Sequence, residues 1–186
     1  METAASTPSW SQRKLSRLQY EELIDQGWFD DVRAELLHGR VVRMSPQKNP
    51  HALAVEQMTE LLVTKLRRRA RIRVQLPIAL SEDSEPEPDF ALVSRDASRV
   101  DHPQRALLII EVSYRTLAKD CTVKAKLYAE NNIPEYWVVD VAHREVVVYT
   151  QPVLGQYKSR KRIAHGAKIS PLAFPKISFA VADFLP

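Results

Sequence analysis

The sequence predicts an α/β fold, a mixed central sheet flanked by helices and preceded by an N-terminal helix and hairpin. Three observations carry that prediction. Residues 106–112 (ALLIIEV) are apolar and rich in β-branched side chains on both alternating faces, the signature of a strand buried on both sides. Residues 51–70 place Leu53, Met58, Leu61, Leu62 and Leu66 at helical spacing. The order of elements along the chain is helix, hairpin, helix, strands, helix, strands, which suits helices packed on a mixed sheet.

Residues 1–15 are polar at the outset and are expected to be disordered. Residues 16–186 are expected to form a single domain, a length one core can serve. From Ser16 to Gln26, Leu18, Leu23 and Ile24 suggest an amphipathic helix stopped by Gly27. Residues 33–37 and 40–44 flank His38-Gly39 as a tight hairpin, and Pro46 and Pro50 mark the loop that follows. The long helix over 51–70 carries its arginines in the last turn, where cations complement the helix dipole. Residues 72–80 and 89–93 read as strands separated by an acidic, proline-rich loop. A helix is expected over 117–131, then strands over 136–141 and 145–150. The remaining residues, with Pro171 and Pro175, suit an edge strand and irregular structure.

Composition bounds the function. Hydrophobic residues make up 45% of the chain, enough for a core, and no apolar run approaches the roughly 20 residues of a membrane helix. The N-terminus shows no secretory pattern. Cys121 is the only cysteine, which excludes an internal disulfide and a cysteine-rich zinc cluster and is compatible with a reducing cytoplasm. The net charge of +4 names no partner by itself, but its distribution is uneven. Lys65, Arg67, Arg68, Arg69, Arg71 and Arg73 form one basic block; Lys158, Arg160, Lys161 and Arg162 form another. An acidic run lies between them at Glu82, Asp83, Glu85, Glu87 and Asp89. Such a distribution suits a protein that attracts polyanions and holds a cation, although charge alone favours solvated surface segments.

Asp89 opens one strand, and Glu111 lies near the end of the most buried one. A buried carboxylate requires a cation or strong donors. Two carboxylates at adjacent strand ends would serve Mg²⁺ or Mn²⁺, which prefer oxygen ligands. A pairing of Glu111 with an arginine, with Asp89 capping a turn, is the alternative that spacing leaves open. On a helical wheel, Leu117, Asp120, Cys121, Lys124, Leu127 and Tyr128 share one face, and Lys126 points the other way. A lysine on the sheet-facing stripe directly after Glu111 suits a site that needs a positive group, with Asp120 one turn earlier as its expected partner. Tyr136 and Trp137, beside Val138 and Val139, are expected in the core.

Pro88-Asp89, IIEVS at 109–113 and KDCTVKAKLYAENNIPEYWVVD at 119–140 resemble the Uma-two family of endonucleases, relatives of the PD-(D/E)XK superfamily. AELLHGRVVRMSP at 34–46 and His51 are similar to it as well, so the resemblance spans about residues 16–150. It implies a restriction-endonuclease-like core in which Asp89, Glu111 and the backbone carbonyl of Val112 bind Mg²⁺ or Mn²⁺ for DNA cleavage. The superfamily usually carries a lysine two residues after the glutamate; this chain has Ser113 there. The resemblance implies that Lys124 on the next helix takes that place, the residue the wheel reaches independently. Glu35, His51, Ser113, Asp120 and Tyr128 are further members suggested for the site, with His51 more readily read as a residue at a helix N-terminus. Lys65, Arg67, Arg68, Arg69 and Arg71 would hold the DNA backbone without reading sequence. A non-cleaving DNA-binding or protein-assembly module on the same fold is the rival reading, and a homo-oligomer remains open.

Overall fold

The computed structural model describes residues 13–186. The expected disorder of residues 1–15 therefore falls largely outside the described residues.

Helix α1, Arg17–Asp25, starts at a reciprocal cap. The Gln19 N–H donates to Ser16 Oγ at 3.2 Å, and Gln19 Oε1 accepts from the Ser16 N–H at 3.0 Å. Strands β1, Ala34–Leu37, and β2, Arg40–Arg43, pair antiparallel around His38-Gly39. Both turn residues have positive φ (50° and 79°), as a two-residue hairpin of matching twist requires. At Gly39 a Cβ would also lie 3.0 Å from the Lys14 side chain. The hairpin forms its own two-stranded sheet and joins the body through Leu36, which exchanges both backbone hydrogen bonds with Glu85.

Helix α2 runs Asn49–Leu66 with Pro50 in its first turn, where no N–H is needed. It stops before the arginines: Arg67 and Arg68 both take left-handed φ (43° and 67°). Strand β3, Arg71–Val74, is shorter than the expected 72–80, because Gln75 turns the chain at φ 51° and Pro77 follows. Strands β4, Phe90–Val93, and β5, Leu108–Ser113, are buried at every residue.

The expected helix over 117–131 is built in three pieces: α3, Leu117–Lys119, a π turn over Asp120–Lys124, and α4, Ala125–Glu130. Strands β6, Glu135–Asp140, β7, Glu145–Val153, and β8, Gln156–Ala164, complete the six-stranded sheet in the order β3-β4-β5-β6-β7-β8. β5 and β6 are parallel, joined by the α3–α4 crossover; the other pairs are antiparallel.

Side-chain alternation divides the core into two layers. On one face Phe90, Leu92, Ile110, Val112, Trp137 and Val139 pack against α2 and against Phe179, Val181 and Phe184 near the C-terminus. On the other, Ala91, Ile109, Tyr136 and Val138 pack against Ala125 and Tyr128 of α4. Tyr136 and Trp137 are thus core residues, as expected. The C-terminal stretch goes beyond an edge strand: β9, Lys168–Ile169, pairs with β10, Phe179–Ala180, and a 3-10 turn over Val181–Phe184 packs on α2. No described helix is long and apolar enough to cross a membrane.

Candidate active site

The register that pairs Phe90 with Ile110 carries Asp89 alongside Glu111. Odd-numbered residues of β5 face α4, so Glu111 points at the helix that holds Lys124 and Tyr128. Its Oε1 accepts from Lys124 Nζ at 2.8 Å and from Tyr128 OH at 2.7 Å. No hydrogen bond from the described residues reaches its Oε2. Asp89 is held from three directions. Its Oδ2 accepts from the Val112 N–H at 2.8 Å and lies 3.2 Å from His51 Nε2, and its Oδ1 accepts from Gln75 Nε2 at 3.1 Å. The N-terminus of α2 brings His51 to this end of the sheet, and its Nδ1 is buried without a hydrogen-bond partner among the described residues.

The hairpin supplies the third carboxylate. Glu35 is 1% exposed and bridges two lysines, Lys119 at 2.7 Å and Lys124 at 3.1 Å, while accepting from the Glu87 N–H at 3.3 Å. Asp120 is the fourth; its Oδ2 accepts from Thr116 Oγ1 at 2.5 Å. These groups line one open cleft of about 450 Å³, with Asp89 and Glu111 at its floor, 7% and 5% exposed. Arg33, Arg43, Lys48 and Arg115 also line it.

Three carboxylates, those of Glu111, Glu35 and Asp120, thus act on the Lys124 ammonium, Lys119 shares Glu35 with it, and Asp89 is paired with His51. Burial, reinforced by the charges of Asp89, Asp120 and Glu35, pushes the Glu111 carboxyl up to about 8 despite Lys124. Burial also raises Asp120, only partly offset by Lys124. Burial would raise Glu35 too, but Lys124 and Lys119 outweigh it and hold Glu35 below its usual range. At Asp89 burial is likewise overcome, by His51 and the Val112 N–H, and its value falls. Burial by itself would lower Lys124; Glu111, Glu35 and Asp120 outweigh it and together hold its ammonium well above the ordinary value.

Residues 18–182 match the model of the Uma2 family, described as putative restriction endonucleases. The chain belongs to the Uma2 family. It is similar in structure to a putative nuclease of the DUF820 family from Anabaena variabilis, with a TM-score of 0.66 at 13% identity over 83% of this chain and 90% of that one. At that identity the likeness shows a shared fold. The type IIG restriction endonuclease BpuSI matches at a TM-score of 0.41 and 17% identity, over 72% of this chain but 14% of that one, too weak a likeness to bear on the site. No curated protein matches.

Of the residues singled out in this Uma2 sequence, Asp89, Glu111, Val112, Lys124, Glu35, His51 and Asp120 all line the cleft. Tyr128 reaches it through Glu111, whereas Ser113 is buried behind it and faces Thr116 at 3.4 Å. The expected Asp120–Lys124 hydrogen bond is not made. Thr116 draws the Asp120 carboxylate back along the helix, and Glu35 from the hairpin takes its place on the ammonium.

The basic blocks are also elsewhere than expected. Lys65 lies fourteen residues along α2 from His51, roughly 21 Å away at 1.5 Å per residue. Its amine donates to the Ser178 carbonyl and sits over Phe179. Arg67, Arg68 and Arg69 follow the end of that helix, and Arg71 binds the carbonyls of Ala97 and Ser98; none of them lines the cleft. The second block is on β8, three strands from β5, or roughly 14 Å. Besides Lys124, the cations that do line the cleft come from the ends of the hairpin, the loop before α2, the turn after β5 and α3. Only Arg115 and Lys119, close behind Glu111 in sequence, carried a signal that could have marked them.

Proposed function

We propose that this protein is a divalent-metal-dependent nuclease that hydrolyses phosphodiester bonds in DNA, built as one restriction-endonuclease-like domain over residues 16–186. The observation that carries the reading is a pair of buried carboxylates, Asp89 and Glu111, on the floor of an open cleft beside a buried ammonium, Lys124.

The donor set suits a hard cation held by few protein oxygens. Among the described residues no group of three or more His, Cys, Asp or Glu is gathered as a metal cage. Mg²⁺ and Mn²⁺ need no such cage, since they keep several waters beside one or two carboxylates. The excess of carboxylates over ammonium groups, and a Glu111 oxygen without a donor, favour such an ion. Asp89, Glu111 and the Val112 carbonyl would hold it. Bound there, it would polarise the phosphate and acidify a water.

The chain's own residues do the rest. Tyr128 and Lys124 fix the Glu111 carboxylate, and His51, Gln75 and the Val112 N–H fix that of Asp89. An ammonium has three donors. Lys124 directs two to Glu111 and Glu35 and turns its positive charge to the phosphate, whose negative charge grows in the transition state. Arg33, Arg43 and Lys48 bind flanking phosphates at the rim.

The test is cleavage of plasmid and linear DNA with Mg²⁺ or Mn²⁺, beside Asp89→Asn and Glu111→Gln. Cleavage that needs the metal and is lost in both folded variants is expected. Cleavage that persists in a chelator or in both variants would overturn the assignment. Salt-sensitive DNA binding with no cleavage under any metal would favour the non-cleaving module.

A further inference from the structure

The cleft holds an aromatic side chain that the phosphodiester chemistry does not use. Tyr114 stands three residues after Glu111, where β5 has ended, and the residue is 36% exposed. It lines the cleft, whereas Tyr128 and Tyr136 beneath the site are fully buried. The Arg115 guanidinium lies 6.0 Å from the Tyr114 ring centre. An exposed ring partnered by a guanidinium, beside cations that suit phosphates, is the arrangement by which proteins take a nucleobase: the base stacks and the backbone is neutralised.

The size of the cleft narrows the substrate. A volume of about 450 Å³ falls within the range that accommodates one small ligand. The carboxylates at its floor are almost wholly buried, so a phosphodiester must enter the cleft to reach them. In an intact duplex both faces of each internal base are covered by neighbours, leaving none for Tyr114. A base that is unpaired or turned out of its stack has a face to offer.

We propose that Tyr114 is a base-stacking residue, and that the cleft takes a DNA strand whose nucleotide beside the scissile phosphate is unpaired. The inference rests on the nuclease reading above and specifies its substrate. It is tested by binding, so it does not depend on turnover. Three fluorescein-labelled DNAs of one sequence are titrated with the full chain in EDTA at fixed salt, and anisotropy is read: a single strand, a blunt duplex, and a duplex with one unpaired internal nucleotide. The single strand and the bulged duplex are expected to bind more tightly than the blunt one. Tyr114→Ala should weaken binding to these two roughly tenfold and leave the blunt duplex unchanged, with the fold verified by circular dichroism. Tyr114→Trp should retain affinity, and its added indole fluorescence, measured against wild type, should be quenched by the single strand. Equal binding of all three DNAs, or a Tyr114→Ala loss that is absent or the same for all, overturns the stacking role while leaving the nuclease reading in place. Failure of wild type to bind any of the three, with no cleavage when metal is added, overturns that reading and this inference together.

Discussion

Lys124 offers the sharpest test of how the site is held together. Its side chain is 4% exposed, and its ammonium is bound to Glu111 and Glu35, themselves 6% and 1% exposed. Replacing it with Met preserves much of the volume and removes the charge. Glu111, Glu35 and Asp120 then remain buried, with Lys119 still bound to Glu35. Breaking a buried ion pair from one side costs up to about 3–5 kcal/mol where the remaining charge is stranded; Glu111, already raised to about 8, holds a proton at pH 7 instead, so the stranded charge is chiefly that of Glu35. That is a large share of the roughly 5–15 kcal/mol that stabilises a typical domain. It would lower the melting temperature by about 10 °C for a chain of this size. The helical wheel alone suggests a variant that loses cleavage and keeps its fold; the geometry predicts that both suffer. Urea unfolding at pH 7, followed by circular dichroism, measures the cost. Adding Glu35→Gln to Lys124→Met removes one stranded charge and should recover part of the loss. A cost below about 1 kcal/mol for Lys124→Met, or no recovery in the double variant, would refute the claim that this ammonium neutralises the buried carboxylates.

Three further outcomes follow from the geometry. Lys126 is 66% exposed and 3.7 Å from Glu130, so Lys126→Ala should change stability by less than about 0.5 kcal/mol in the same urea assay. Burial, with Glu21 beside it, raises the Glu85 carboxyl from 4.5 to about 7. The native state therefore binds that proton more tightly than the unfolded chain does. Its contribution is full below about pH 4.5 and is lost as pH rises through 7. Glu85→Gln should match wild type near pH 4 and exceed its stability at pH 8 by on the order of 1–3 kcal/mol in thermal melts, and equal stability at pH 8 would refute this. Charge reversal at Arg33 and Arg43 should weaken DNA binding and flatten its salt dependence by about 0.9 for each phosphate no longer neutralised, whereas reversal at Arg67, Arg68 and Arg69 should leave the salt slope almost unchanged.

The parts of the molecule that were legible in the sequence are those set by local periodicity. The β5 strand announces itself because apolar residues run through it up to Glu111, and that one carboxylate is where the site lies. The wheel separates Lys124 from Lys126 even though the π turn departs from the assumed spacing; Lys124 is buried and Lys126 is exposed. The rest depended on contacts between distant residues. Glu35 becomes the partner of Lys124 across 89 positions because the hairpin docks over the α3–α4 crossover, and no local pattern encodes that. The arginines at 67–69 belong to the longest basic block in the chain, yet a left-handed stop at Arg67 and the length of α2 remove them from the cleft. Tyr114, a single aromatic after a strand, has no pattern to mark it.

The separate two-stranded sheet has a consequence for the order in which this molecule assembles. Glu35 rides on an element that shares no ladder with the six-stranded sheet and is joined to the body through the Leu36–Glu85 pair, backbone bonds from Gly39 to Asp83 and Leu15, and a few side-chain bonds, among them Tyr20 OH to the Ala34 carbonyl at 2.8 Å. Loop-closure entropy must be met before pairings so distant in sequence can offset it, so the hairpin should dock late, onto a sheet already formed. By the same reasoning it should be among the first parts to open. Amide exchange at Leu36 and Glu85 should outpace exchange at Ile110 and Val138, and each such opening would leave Lys124 with one fewer carboxylate. The cleft would then pass through a short-lived form in which the ammonium is less tightly held, while the sheet beneath stays intact.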